Sequence, residues 1–361
     1  MKTTDSLFEN LDSSSEKPGD AFAIDMSRPS PEELREAFAL AKCVWDEAPW
    51  ETLDERQVLA VHFADGQSGF VSVMGINGQH RAISVYPSFA AFMCIRSIDE
   101  RHEDSFMDAF FSVDQLQLAF LPAANLPKGA MADMRASGVR FKRGMNPSFE
   151  SYVAGFMTDR MGGRELRRYV AFLKAFRSFC ERHGPESIIC NDAPNKMLTT
   201  WTEDSSGNWT KGENDYSPML PVVVRVDEEQ LARVAALPVR ENFPLEVGAF
   251  VIPMGRAPNG RGKMSRLVMM VDGASKMILG ATPVETSHTR GMDWTPIVDM
   301  VLGKLCALGF RPKTWATTSC AMRGVLKGLS GTALKGTAYD PGSSCECVRD
   351  SFEFLRSRMF W

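Results

Sequence analysis

Leu267-Val-Met-Met-Val-Asp-Gly-Ala-Ser-Lys-Met-Ile-Leu-Gly280 is the stretch whose reading decides the fold of the C-terminal part of this chain. An apolar run ends at Asp272, Gly273 follows at once, and a second apolar-rich run extends from Met277 to Val284. Asp bonds readily to its own backbone and Gly accepts positive φ, so the spacing predicts two strands joined across Gly273 to Lys276. Working outward, Leu245 to Pro253 reads as a preceding strand. Thr295-Pro296 opens a helix with Ile297, Val298, Val301, Leu302 and Leu305 at helical spacing, which Gly309 ends. Lys313 to Thr318 reads as a strand, Ser319 to Leu329 as a helix and Thr332 to Ala338 as a last strand. Val348, Phe352 and Leu355 mark a final helix. The predicted order is βββαβαβα, a mixed sheet in an α/β domain.

The N-terminal part has a different rhythm. Ser30-Pro31-Glu32-Glu33 carries a capping Ser, a Pro at the first helical position and the Glu of a capping box, so a helix to about Asp46 is expected. Gln57–Ala64, Gly69–Ile76 and Gln79–Tyr86 read as a meander. Asn77-Gly78 is expected to form a tight turn with both residues at positive φ. A helix is expected over Ser88–Ile98, a strand over Gln115–Leu121, a helix over Pro127–Ala136 and a short strand over Val139–Arg143. The long helix Gly163–His183 buries Leu166, Tyr169, Val170, Leu173 and Phe176 and shows a basic opposite face. Trp201 and Trp209 flank a turn and predict another hairpin. The organisation read this way is a flexible acidic tail over 1–29, an α+β domain over 30–185, a joining region over 186–244 with short strands and a helix, and the α/β domain over 245–361.

The βββαβαβα order, the hairpin quoted above and Phe310-Arg-Pro-Lys-Thr-Trp315 at the start of the fourth strand resemble the ribonuclease H-like fold of integrase cores. The whole chain also resembles an uncharacterised bacterial family of two-domain proteins. Ser72-Val-Met-Gly-Ile-Asn-Gly78, Ser84-Val-Tyr86 and Val139-Arg-Phe-Lys-Arg-Gly-Met-Asn-Pro-Ser-Phe149 carry the likeness. That family implies an architecture and no activity.

What the ribonuclease H-like resemblance implies can be checked against the residues. Two-metal chemistry needs clustered carboxylates around ions about 3.5–4 Å apart. Phe250-Val251-Ile252-Pro253 on the first strand offers no acid, and neither does Ala316-Thr317-Thr318-Ser319 at the end of the fourth. Glu346 or Asp350 could stand for the helical acid, but one carboxylate cannot hold an ion pair. Asp272 reads as a turn cap. Cys345-Glu-Cys347 has no second pair to complete a zinc site. Ala257-Pro-Asn-Gly-Arg-Gly-Lys-Met264 lacks the first Gly and the Ser/Thr of a phosphate loop and leads into a strand. The five histidines share no metal-motif spacing.

The chain has 361 residues, 44% of them hydrophobic and 24% charged, and a net charge of −4. That overall acidity disfavours a dedicated nucleic-acid binder. Basic residues nevertheless cluster at Arg256, Arg261, Lys263 and Arg266, and at Arg164 and Arg168 on the long helix. These six are the candidate nucleic-acid or anion contacts. No run of residues is long and apolar enough for a membrane span, and the polar start has no signal-peptide core. A cytoplasmic location with reduced cysteines is expected. The expected function is non-enzymatic binding or regulation on a ribonuclease H-like scaffold without the metal acids, with no cofactor and no metal. The alternatives are a nucleic-acid-binding protein of mobile-element or defence context, and an enzyme of a class the sequence does not show. The partner could be a protein or a nucleic acid.

Overall fold

The computed structural model describes residues 27–78, 80–88, 91–92, 113–142, 146–190, 197–215, 224–256, 260–284 and 294–359. It is a mixed α/β structure with two sheets and divides into two compact units. All but the last three residues of the expected acidic tail, and most of the helix expected over Ser88–Ile98, lie outside the described residues.

The first unit is built on an eight-stranded sheet in the order β6-β5-β4-β3-β2-β1-β7-β8. In chain order these are β1 (Val58–His62), β2 (Ser68–Met74), β3 (Arg81–Tyr86), β4 (Gln115–Phe120), β5 (Pro147–Tyr152), β6 (Asp159–Arg160), β7 (Met197–Glu203) and β8 (Trp209–Asp215). Every neighbouring pair is antiparallel except β1 and β7, which run parallel. Helices of this unit include α1 (Pro31–Glu47), α2 (Ala130–Ser137) and α3 (Gly163–His183). Alternate strand residues such as Leu59, Val71, Ile83, Leu118 and Phe149 pack with Phe38 of α1 and Phe172 and Phe176 of α3 in one core. A two-residue period on the strands and a 3.6-residue period on the helices bring these apolar positions to a common interface.

Two local expectations need correction. At the Asn77-Gly78 turn, only Gly78 (φ 76°) and the preceding Gly75 (φ 124°) lie at positive φ, and Gly78 N–H closes on Gly75 O at 2.8 Å. Val139–Lys142 forms no strand. The ladder to β4 is made instead by Pro147–Tyr152, which puts Phe149 into the aromatic core against Phe38. The Trp201–Trp209 hairpin does form, as β7 and β8, and it extends the first sheet because β7 finds the open edge of β1.

Helix α1 starts as expected. Ser30 Oγ accepts from Glu33 N–H at 3.2 Å, and the Glu33 carboxylate accepts from Ser30 N–H at 2.6 Å. Tyr169 on α3 ties helix to sheet. Its hydroxyl donates to Ile83 O at 2.9 Å and accepts from Leu118 N–H at 3.1 Å. Burial pushes this hydroxyl far above the usual tyrosine range, so it stays protonated. Tyr169→Phe leaves two buried backbone groups of β3 and β4 without that partner. The expected loss is about 1–2 kcal/mol, read as a fall in the urea midpoint at unchanged slope.

The second unit holds a five-stranded sheet in the order β11-β10-β9-β12-β13. The strands are β9 (Val239–Arg256), β10 (Gly262–Asp272), β11 (Ile278–Val284), β12 (Arg311–Thr317) and β13 (Ala338–Tyr339). β9, β10 and β11 form an antiparallel meander, while β12 runs parallel to β9 and β13 parallel to β12. The helices are α4 (Glu228–Ala235), α5 (Thr295–Leu308), α6 (Cys320–Thr332) and α7 (Glu346–Met359). Leu245, Val247 and Ala249 of β9 face a core shared with α4, α5 and α6, whereas Phe250 and Ile252 face a second core shared with α7. The sheet is therefore covered on both faces. β9 is far longer than expected, because its first part is held by the ladder to β12, where Arg311 pairs with Val239. The last strand is shorter than expected, at two residues. Among the described residues, no helix is long and apolar enough to cross a membrane.

Candidate functional site

The α7-facing side of β9 is where the ribonuclease H-like resemblance would put a first-strand acid. Successive side chains of a strand alternate between faces, so Glu246, Gly248, Phe250 and Ile252 share this one. Glu246 is an acid on this face of β9, four residues ahead of the Phe250–Pro253 stretch that offers none. It is 9% exposed. Its Oε2 accepts from Val348 N–H in the first turn of α7 at 2.8 Å, so the carboxylate caps that helix.

Gly248 comes next, and a Cβ there would lie 2.3 Å from the Phe250 ring and 2.8 Å from Val348. Phe250 stacks on Phe352 of α7 at 4.1 Å with an interplanar angle of 4°. Aromatic packing thus occupies the space above Gly248.

The neighbouring strand offers hydroxyls. Thr317 Oγ1 accepts from Ser319 N–H at 3.2 Å, and Ser319 Oγ accepts from Met322 N–H at 3.4 Å as the cap of α6. Thr318 N–H bonds to Val247 O at 3.3 Å. Glu346 and Asp350, the acids expected on the last helix, are both exposed. Asp272 caps the hairpin turn, accepting from Ala274 N–H at 3.0 Å and Ser275 Oγ–H at 2.6 Å. Among the described residues, no three His, Cys, Asp or Glu side chains group in a way that could hold a metal ion. The two cysteines at the start of α7 are poor nucleophiles. Burial pushes the Cys345 thiol up to about 11, and burial also raises that of Cys347.

The six basic residues divide between the two units. In the second unit, Arg256 is exposed and its Nη1 donates to Gly260 O at 2.8 Å, closing its own loop. Arg261 is 4% exposed and donates from Nε to Met157 O at 2.8 Å. Lys263 is half-buried at an irregularity in the β9–β10 ladder. Arg266 is also 4% exposed, with its guanidinium 4.8 Å from the Trp294 ring centroid. In the first unit, Arg164 is exposed and Arg168 is half-buried, 6.0 Å from the Phe172 ring. Other cations of α3 meet acids of α1: Arg167 pairs with Glu33, Lys174 with Glu36 and Arg177 with Glu47. Much of the basic face read from sequence is thus neutralised by a neighbouring acidic helix.

The first unit also carries polar chemistry that the sequence reading missed. On the sheet face away from Phe38 and Phe172, a register row runs Ser72, Ser84, Gln117, Glu150 across β2 to β5, and all four are buried. Gln115 and Gln117 both donate from Nε2 to Ser84 Oγ, at 2.7 and 3.0 Å. Tyr152 O–H lies 2.6 Å from Glu150 Oε2 and 3.1 Å from Gln117 Oε1. Burial, followed by the Glu150 charge, pushes the Tyr152 hydroxyl far above its ordinary range. The group therefore works as a proton-holding hydrogen-bond donor.

Residues 35–200 match a domain of unknown function, DUF7309. No curated protein and no solved structure matches the chain. The DUF7309 span contains the buried polar row, Tyr169, and Arg164 and Arg168 of α3. It ends before β9, so Glu246, the Phe250–Phe352 stack and the four basic residues from Arg256 to Arg266 lie beyond it. The sequence signal for the DUF7309 polar row was Gln115 and Gln117 alternating with Leu116 and Leu118, and Ser72 and Ser84 alternating with valines and Ile83. Period-two alternation ordinarily marks a solvated face. Here that face is buried.

Proposed function

We propose that the second unit is a ribonuclease H-like scaffold used for non-enzymatic binding, not for metal-dependent cleavage of nucleic acid. The meander β9-β10-β11, followed by β12 and β13 added parallel beside β9, supports the scaffold reading. So do α5 and α6 on one face and α7 on the other. The observation that carries the loss of chemistry is the α7-facing side of β9. Its one carboxylate, Glu246, caps a helix, and the next position is Gly248 beneath a phenylalanine stack. Clustered acids around paired ions are what metal-assisted phosphoryl transfer needs.

Contact with nucleic acid through Arg256 and Arg164 is the second reading, favoured by the exposure of those two side chains. Labelled single- and double-stranded DNA and RNA, incubated with the full chain at two salt concentrations and with Mg²⁺ or Mn²⁺, separate the readings. The proposal expects no cleavage under any condition. Steeply salt-dependent binding weakened by Arg256→Ala would favour the second reading. Metal-dependent cleavage abolished by Glu246→Gln would overturn the first.

A further inference from the structure

β8 ends the first sheet on one side, and among the described residues no strand pairs with its open edge. It is seven residues long, Trp209-Thr-Lys-Gly-Glu-Asn-Asp215. The other sheet edges are less complete. β6 and β13 have two residues each, and Pro283 in β11 has no N–H to give. The ladder to β7 fixes which backbone groups of β8 point outward. Asp204 N–H bonds to Asn208 O at 2.9 Å and closes the hairpin. From that bonded pair the register runs without a shift, so Thr210, Gly212 and Asn214 turn their N–H and C=O groups toward β7. Trp209, Lys211 and Glu213 turn theirs to the open edge. Thr210, Glu213 and Asn214 are exposed, and Lys211 and Gly212 are half-buried. Among the described residues, neither Lys211 nor Glu213 forms an ion pair.

We propose that two copies of this chain associate through β8, paired antiparallel about a two-fold axis at Gly212. Unpaired edge groups are a template for a further strand, and charges on the edge restrict which strand fits. The spacing of Lys211 and Glu213 makes β8 complementary to itself. With the axis at Gly212, Lys211 of each copy stands opposite Glu213 of the other, and the outward N–H and C=O groups of both residues exchange bonds. With the axis at Lys211 the two lysines would stand opposite each other, and with the axis at Glu213 the two glutamates would. Like charges directly opposite are destabilising, so one register is selected. The two Gly212 residues meet at the axis as a non-hydrogen-bonded pair, whose Cα atoms approach to about 4.5 Å with no side chain between them. One strand pair buries little area, so the dimer is weak and depends on concentration.

Sedimentation velocity of the full chain across micromolar concentrations reads the association. The expected result is a monomer–dimer equilibrium. Amide exchange at Lys211 and Glu213 should slow as the dimer forms, while the Thr210 and Gly212 amides, already bonded to β7, should not change. Glu213→Lys places a cation opposite Lys211 in both pairs and should weaken the dimer about tenfold or more. Lys211→Glu should do the same, and an equimolar mixture of the two variants should associate again, because each copy then meets the opposite charge. A wild type that stays monomeric up to about 100 µM, well above a micromolar Kd, would overturn the proposal. A dimer that keeps its strength in Glu213→Lys would overturn it as well. Glu213 is exposed and unpaired, so that variant decides even if Lys211→Glu does not fold.

Discussion

Phe250→Ala is expected to destabilise the second unit by about 3–5 kcal/mol, the usual cost of truncating a packed phenylalanine. Phe250 is 9% exposed and stacks at 4.1 Å on Phe352, in a core that includes Ile252, Leu267, Met269 and Val348. Truncation removes the ring from both partners at once. Gly248 lies directly beneath, with no side chain to move into the space. The hollow should therefore relax poorly, which places the effect toward the upper end of the range. Hydrogen exchange of β9 and β10 amides reads it locally: protection should fall in those strands before it falls in β1 to β4. Unchanged protection in β9 would mean that α7 is not held to the sheet by this stack.

Gly248→Asp makes the complementary test, because it introduces a carboxylate on the central strand. A Cβ at this position meets the Phe250 ring at 2.3 Å and the Val348 side chain at 2.8 Å. Both neighbours are themselves packed, so neither can give way cheaply. Overpacking of this kind costs about 1–3 kcal/mol, and burying an additional carboxylate close to Glu246 adds to it. A total of about 2–4 kcal/mol is expected from urea unfolding. A Gly248→Asp chain as stable as the wild type, and binding Mn²⁺, would show that the stack is loose and that the site accepts an acid readily.

Some of this was legible in the sequence, and the physical reasons are local. The β10–β11 hairpin was readable because Leu267–Val271 is apolar without interruption and Asp272-Gly273 is a turn pair. α1 was readable because Ser30 and Glu33 stand at capping-box spacing, and α5 because Gly309 (φ 73°) supplies the left-handed residue after its last turn. What stayed hidden depends on distant partners. Arg240, Glu241 and Asn242 at the start of β9 have no apolar alternation, and only the ladder to β12 makes them strand.

The candidate site was less legible than the fold. Arg261 and Arg266 look like solvent-exposed phosphate contacts in sequence, yet one is held by Met157 O and the other lies over Trp294. The basic face of α3 gives no hint that α1 brings Glu33, Glu36 and Glu47 against it. Glu246 was passed over because the register of the first strand, unlike its existence, cannot be fixed without its neighbours. The buried row from Ser72 to Glu150 was missed for a related reason. Alternation shows that a strand has two kinds of face and does not say that both are covered.

The most direct measurement is calorimetric titration of the wild-type chain with Mn²⁺, with Glu246→Gln as the control. Absence of saturable binding in the millimolar range, and a melting temperature that does not rise with Mn²⁺, is the result this account predicts. Binding of two ions per chain, lost in Glu246→Gln, would contradict it and favour metal-dependent chemistry in the second unit.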